Sequence, residues 1–301
     1  MTWGMLEKVF LRGTITALTG LRVGGSEQGL DAGGLENLVV RHALLDEPYL
    51  PGSSLRGKLR ATLERLQGLA GGPAGDGVVF GPADDPAHPL VQLFGLGAKD
   101  GAGIPSRVLV RDALLTEGSR RRLARLRGVL PMTETKAEAT IDRVTAAASA
   151  RTVERVPAGA ELRFEIVLEV RALPDSPGAA AEDASGAGGA SSSRALDAQR
   201  ASRTEANGWG RDEDLRWLLT GLDLLQDDAL GGHGSRGYGR VKIHLDAPTH
   251  RTRDDYLQGR GERPIEGLSD ELSRRIADLN QRGDRERQEV VASLPAIEGA
   301  R

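Results

Sequence analysis

A run of leucines at helical spacing, Leu215, Leu218, Leu219, Leu222 and Leu225, passes through Gly231-Gly232-His233-Gly234-Ser235-Arg236-Gly237-Tyr238-Gly239-Arg240 straight into the strand-like segment Val241–Leu245. This order constrains the fold more than any other feature of the chain. Gly232 to Gly237 formally matches the G-x-G-x-x-G dinucleotide fingerprint, but that fingerprint needs a strand before the glycines and a helix after them. Here the helix comes first, so a Rossmann unit is excluded. What is left is a glycine turn with freed backbone N–H groups and Arg236 beside them, the donor and charge set that phosphate oxygens require.

A second glycine-bearing basic segment lies about 180 residues earlier: Pro51-Gly52-Ser53-Ser54-Leu55-Arg56-Gly57-Lys58-Leu59-Arg60. Leu55, Leu59, Leu63 and Leu66 line one face of a helix that Ser53 or Ser54 would N-cap. First helical turns favour Asp and Glu because the macrodipole is positive there, and each misplaced cation costs roughly 0.3 to 1 kcal/mol. Arg56, Lys58 and Arg60 invert that preference, and a bound phosphate would restore it. The two segments together predict a grip on the backbone of RNA or DNA.

A net charge of −3 argues against nucleic acid only if charge is spread evenly, and it is not. Between Arg107 and Arg127 seven arginines stand against Asp112 and Glu117, while acids gather at Asp175–Asp183 and Asp212–Asp214. This arginine run is equally compatible with a solvated basic helix. The absence of cysteine excludes disulfides, thiolate metal sites and thiol nucleophiles, and the five histidines are not at ligand spacing. Met1–Phe10 lacks the apolar run of a signal peptide, and no eighteen consecutive apolar residues occur. The expectation is a cytoplasmic protein with no membrane partner.

Along the chain, Val9–Ala17 alternates as a strand that Leu21-Arg22-Val23 continues, and Leu38-Val39-Val40 reads as a short strand. Val108-Leu109-Val110 and Glu161–Arg171 are further strands, with Ser119–Leu126 a basic helix and Asp214–Leu230 the leucine-lined one. Pro174–Glu205 is Pro, Gly, Ala and Ser-rich and is expected to be a disordered insertion. The tail after Pro248 is charged, with one helix expected at Ser269–Gln281. This order predicts an α+β, ferredoxin-like fold. The expected domains are 1–247, interrupted by 174–205, and a C-terminal extension, 248–301.

Between Glu134 and Val156 the chain mixes charge with small residues and lacks apolar periodicity, as an extended loop or hairpin standing off the core would. Lys136, Arg143, Thr145, Arg151 and Arg155 are its polar candidates. Asp31, Glu36, Asp46 and Glu47 are scattered carboxylates around the first loop.

Taken in order, these segments resemble the RAMP-superfamily backbone subunit of type III CRISPR effector complexes, most closely the type III-A form. The resemblance rests on Leu18–Ser26, Pro48–Arg60, Arg107–Ala113, Glu134–Val156 and Leu230–Val241. It implies an RRM-like palm that binds CRISPR guide RNA, and a thumb hairpin that displaces a nucleotide at intervals of the guide–target duplex. It also implies stacking with copies of the chain and with other subunits of the complex. On this basis Ser53, Ser54, Arg56, Lys58, Arg60, Lys136, Arg143, Thr145, Arg151, Arg155, Gly232, Gly234, Ser235, Arg236 and Tyr238 are the expected RNA-binding residues. The family cuts target RNA through an aspartate in the first loop, with a divalent ion, magnesium or manganese. Here ungapped counting places Glu36 at that position, with Asp31 the nearest preceding aspartate. His233 stands where the family usually has a small residue. A non-catalytic scaffold and a CRISPR precursor-RNA nuclease are the alternatives; the latter would favour a histidine or tyrosine acid–base pair, and the first loop holds no histidine.

Overall fold

The computed structural model describes residues 4–24, 38–69, 82–99, 102–126, 130–171 and 210–294. Asp31, Glu36, Arg127 and the 174–205 segment lie outside the described residues.

The centre of the fold is β1 (Met5–Ala17), in which Val9, Leu11 and Ile15 are fully buried on one face. The other face carries charge: Lys8 lies opposite Glu169 and Arg12 opposite Glu165 on β8 (Glu161–Arg171), and both pairs form salt bridges. Such alternation is what an antiparallel sheet needs when helices cover only one side. β4 (Val108–Val110) and the short β5 (Leu114–Leu115) pair with β8, and β9 (Val241–Leu245) pairs with β1. Across the sheet the order is β4, β8, β1, β9, all antiparallel, with helices after the first and third of these strands in sequence. That is the ferredoxin-like arrangement the sequence order predicts.

The apolar face is covered by α1 (Gly52–Leu66) and by the leucine-lined α4 (Arg211–Asp227). Leu55, Leu59 and Leu63 on α1 are buried, each contributing about 1.5–3 kcal/mol by leaving water, whereas Leu66 is half exposed. Gly221 on α4 lets the two helices approach closely, since a Cβ there would sit 3.2 Å from Leu59 and Leu63. Between α1 and β4 come α2 (Pro89–Phe94) and the small hairpin β2 (Leu96–Lys99) and β3 (Ala102–Ile104). The basic helix α3 spans Glu117–Leu123, starting earlier than expected because Thr116 accepts a hydrogen bond from the Ser119 amide as its N-cap.

Three expectations change. Leu38–Val40 is not a strand but a single bridge, Gly24 to Val39. Ser53 and Ser54 do not cap α1; Pro51 occupies the N-cap with no side-chain bond. The C-terminal extension is not a separate tail with one helix. β10 (Thr249–Thr252) pairs with β1 at Glu7–Phe10, beside the stretch that β9 occupies, and β11 (Arg263–Pro264) pairs with β10. Helices α5 (Arg253–Leu257), α6 (Asp270–Gln281) and α7 (Asp284–Ala292) follow. Leu272 and Leu279 of α6 enter the main core, and the buried Lys242 ammonium donates to the Leu279 carbonyl.

β6 (Glu134–Ile141) and β7 (Ala148–Arg155) form a two-stranded hairpin of their own, unpaired with the main sheet. Asp142 turns it by accepting from the Val144 and Thr145 amides, and Ala146 takes a left-handed φ of 56°.

Candidate nucleic-acid interface

The start of α1 resolves its electrostatic anomaly within the protein. The Asp112 carboxylate accepts from the Gly52 amide at 2.7 Å and supplies the negative charge missing from the first turn. Arg56 donates to the Phe94 carbonyl and to Ser106 Oγ. Arg60 binds Glu64 Oε1 at 2.7 Å and the carbonyls of Gly95 and Ala83, each at 2.8 Å. Lys58 pairs with Asp228 at 2.9 Å. These three cations therefore tie α1 to the 83–106 region and to the end of α4; Arg56 has no ion pair among the described residues, and burial, then the charge of Arg60, lower its guanidinium. Ser53 is exposed and Ser54 half-buried, and among the described residues neither hydroxyl has a partner.

The arginine run is likewise consumed by internal pairs. Arg107 grips Asp214 with both guanidinium nitrogens in a buried pair, while Arg111 joins Arg12 on Glu165. Arg120 bridges Glu47 and Glu117, and Arg122 reaches Glu161. It is a set of fastenings rather than a free basic strip.

The glycine loop differs. Gly231 and Gly239 have φ of 77° and 75°, and a Cβ on either would collide with a carbonyl oxygen, of Arg22 and Leu230 respectively. Gly232 donates to Arg22 O and Gly239 to Gly20 O, so these glycines let the loop lie against the chain leaving β1. Gly234–Arg236 makes one short 3-10 turn, and the amides of Gly234 and Ser235 make no backbone hydrogen bond among the described residues. Ser235 and Arg236 are exposed, and Arg236 has no ion pair among the described residues.

Around this loop cations outnumber their partners. Arg22 NH1 lies 3.2 Å from His233 Nε2; a guanidinium can only donate, so that nitrogen accepts and the imidazole is neutral. Burial first, and then Arg22 and Arg236, hold the His233 imidazolium below its usual range, with Glu138 opposing them. Burial followed by the charge of Arg151 also lowers the Arg22 guanidinium. Arg151 pairs with Glu138 at 3.0 Å. The Nε atoms of Arg22 and Arg151 and the Nδ1 of His233 are buried without a partner. Mutual repulsion among converging cations and orphaned donors is the signature of a place where an anion is favoured.

The hairpin supplies the rest of the expected set. Arg143 and Thr145 are exposed at its tip, and Arg143 has no ion pair among the described residues. Lys136 and Arg155 lie over the Tyr238 ring, at 4.6 and 5.2 Å from its centroid. Tyr238 itself is 1% exposed, so its ring cannot stack on a base as a surface aromatic would. At the hairpin base the buried Glu154 accepts from the Val39 amide at 2.7 Å, Thr133 Oγ1 at 2.6 Å and Arg41. Arg22 and His233 are missing from the site residues that the sequence suggests, because only the folded chain brings 22, 151 and 233 together. Among the described residues no group of three or more metal-ligating side chains occurs, and no helix is long and apolar enough to cross a membrane.

The chain is 36% identical over 238 residues to the CRISPR system Cms endoribonuclease Csm3 of Mycobacterium tuberculosis, covering 78% of this chain and 86% of the relative. It is 32% identical over 234 residues to the protein of the same name from Streptococcus thermophilus, covering 78% and 86%. The crystal structure of Methanopyrus kandleri Csm3 matches at a TM-score of 0.52 and 20% identity, covering 98% of this chain and all of that one, a likeness of fold. The family model of the RAMP superfamily matches residues 14–242. The chain belongs to the RAMP superfamily.

Proposed function

We propose that this chain is a guide-RNA-binding backbone subunit of a type III CRISPR interference complex, in contact with complementary target RNA, further copies of itself and other subunits of the complex. The observation that carries the reading is the cationic excess of Arg22, Arg151 and Arg236 at the glycine loop, with free amides beside it, on a fold whose relatives carry the Csm3 name. Contacts of this kind hold phosphates and read no bases. A cytoplasmic location fits a partner of this chemistry.

The phosphate grip is centred on the loop and hairpin: Arg22, Arg151, Arg236, Arg143 and the amides of Gly234 and Ser235. The grip is not centred on α1, where Arg60 donates to Glu64 and to two carbonyls and one nitrogen of Arg56 donates to the Phe94 carbonyl and Ser106 Oγ, nor on the buried ring of Tyr238. Fluorescence anisotropy with two unrelated single-stranded RNAs tests this. The double variant Arg22→Ala/Arg236→Ala weakens both equally and flattens the salt dependence by about 0.7 per lost contact. Loss confined to one sequence contradicts the assignment.

Cleavage is a further part of the proposal, carried by Glu36 or Asp31. Magnesium or manganese would be held by these carboxylates and would stabilise charge developing at the scissile phosphate. Glutamate is one methylene longer than aspartate, and misplacement of ~1 Å costs about a hundredfold in rate. Glu36→Asp therefore speeds metal-dependent cutting of matched target RNA if Glu36 is the cutting residue, and Asp31→Ala abolishes it if Asp31 is. A complex that binds guide and target but leaves RNA intact with either metal is a scaffold.

A further inference from the structure

Tyr238 is the largest fully buried side chain among the described residues, yet it lies outside the main hydrophobic core. It leaves the glycine loop two residues after Arg236 and is enclosed by one face of the hairpin. Glu134, Lys136 and Glu138 alternate along that face on β6, and Arg155, Val153 and Arg151 are their register partners on β7. The Tyr238 hydroxyl donates to Glu138 Oε1 at 2.7 Å, and Lys136 and Arg155 stand over the ring. His233 meets the ring edge-on, with centroids 5.5 Å apart, and its Nε2 accepts from Arg22. Val153, on the same face, is fully buried but absent from the main core. Burial, then the Glu138 carboxylate, keeps the phenol protonated.

Among the described residues the hairpin has two sets of attachments. One is at its base, where Glu154 holds Val39 and Thr133 and where Val156 bridges to Leu21. The other is Tyr238. Glu138 lies four residues up β6 from Glu134, roughly 13 Å at 3.3 Å per residue. A hairpin fastened only at its base would pivot there, and a contact this far along fixes its angle.

We propose that Tyr238 is a positioning residue that pins the thumb hairpin to the glycine loop, so that phosphate held by the loop and the setting of the thumb are energetically coupled. The coupling half rests on the guide-binding reading above; the pinning half does not. An anion that draws on Arg22 and Arg236 orders the loop from which Tyr238 projects, and the order passes to Lys136, Glu138 and Arg155 through the ring.

Hydrogen exchange on the full chain tests both halves. Without RNA, Tyr238→Phe, which keeps the ring and loses only the bond to Glu138, speeds exchange of the 136–141 and 148–153 amides about tenfold, the value of a hydrogen bond to a charged group. Tyr238→Leu speeds it further, and the β1 and β8 amides stay as in the wild type. With a saturating single-stranded RNA, the wild-type thumb becomes more protected and the Tyr238→Leu thumb does not, although RNA is bound. Unchanged thumb exchange in both free variants overturns the pin. Equal protection of the thumb by RNA in wild type and Tyr238→Leu overturns the coupling. Failure of the wild type to bind RNA removes the guide-binding reading and leaves the pin to be judged from the free protein. If Tyr238→Leu does not fold, Tyr238→Phe decides the free-protein arm, and its thumb protection by RNA, reduced from wild type, decides the other.

Discussion

Arg60→Ala distinguishes an arginine that holds the fold from one that holds RNA. Its side chain is 12% exposed and supplies donors to Glu64 and to the carbonyls of Gly95 and Ala83. Truncation leaves two carbonyls short of a donor, at about 1–3 kcal/mol each if water does not reach them. It also strips Glu64, 10% exposed, of its one cation among the described residues, leaving the Ala83 amide as a donor to that oxygen. Breaking a pair this buried costs about 3–5 kcal/mol when the partner stays behind. The terms overlap, and about 4 kcal/mol is a reasonable total, equivalent to about 6 °C in melting temperature for a chain of this size. Scanning calorimetry reads the stability, and RNA affinity between low and moderate salt reads phosphate contacts. The expected result is a large fall in melting temperature with the salt slope unchanged. A slope lowered by about 0.7 with the melting temperature preserved would refute the internal assignment and return Arg60 to the phosphate grip.

Arg236→Ala is the converse: no change in melting temperature, a salt slope smaller by about 0.7, and equal weakening of all RNA sequences in anisotropy titrations. Asp112→Ala removes the charge at the Gly52 amide and costs about 0.5–2 kcal/mol in chemical denaturation, as loss of a helix cap does. Asp228 gives a pH test: burial raises its carboxyl, but hydrogen bonds from Lys58, the Ala229 amide and Arg65 outweigh that and set it at about 2, against an ordinary 3.8. A depressed folded pKa stabilises above the unfolded value, so wild type exceeds Asp228→Asn by a constant margin above about pH 5. The margin shrinks as pH falls from 4 toward 2 in urea titrations.

Local patterning carried much of this fold. The Leu55, Leu59, Leu63 stripe, the alternation of Glu161–Arg171 and the Val241–Leu245 strand are each decided by neighbours in sequence, and all three are found where expected. β10 was illegible because Thr-His-Arg-Thr has no apolar alternation; it joins the sheet by continuing the edge that β9 began. The charge on α1 has internal partners that local sequence does not show. A helix start rich in Arg and Lys looks like an anion site until Asp112, sixty residues on, is seen at its first amide and Phe94 and Gly95 at its arginines. The converging cations of the glycine loop come from segments near 22, 151 and 236, and only the fold could bring them together. Tyr238 in a glycine loop reads as an exposed aromatic, and burial by the hairpin reverses that meaning.

The central claim, that the chain holds guide RNA, is tested most directly by expressing it beside a CRISPR array and sequencing the nucleic acid that co-purifies. The account predicts RNA of a narrow length range carrying array-derived spacer sequence, lost together with its phosphate grip in the Arg22→Ala/Arg236→Ala variant. Protein that purifies free of RNA, or with RNA unrelated to the array, would contradict it.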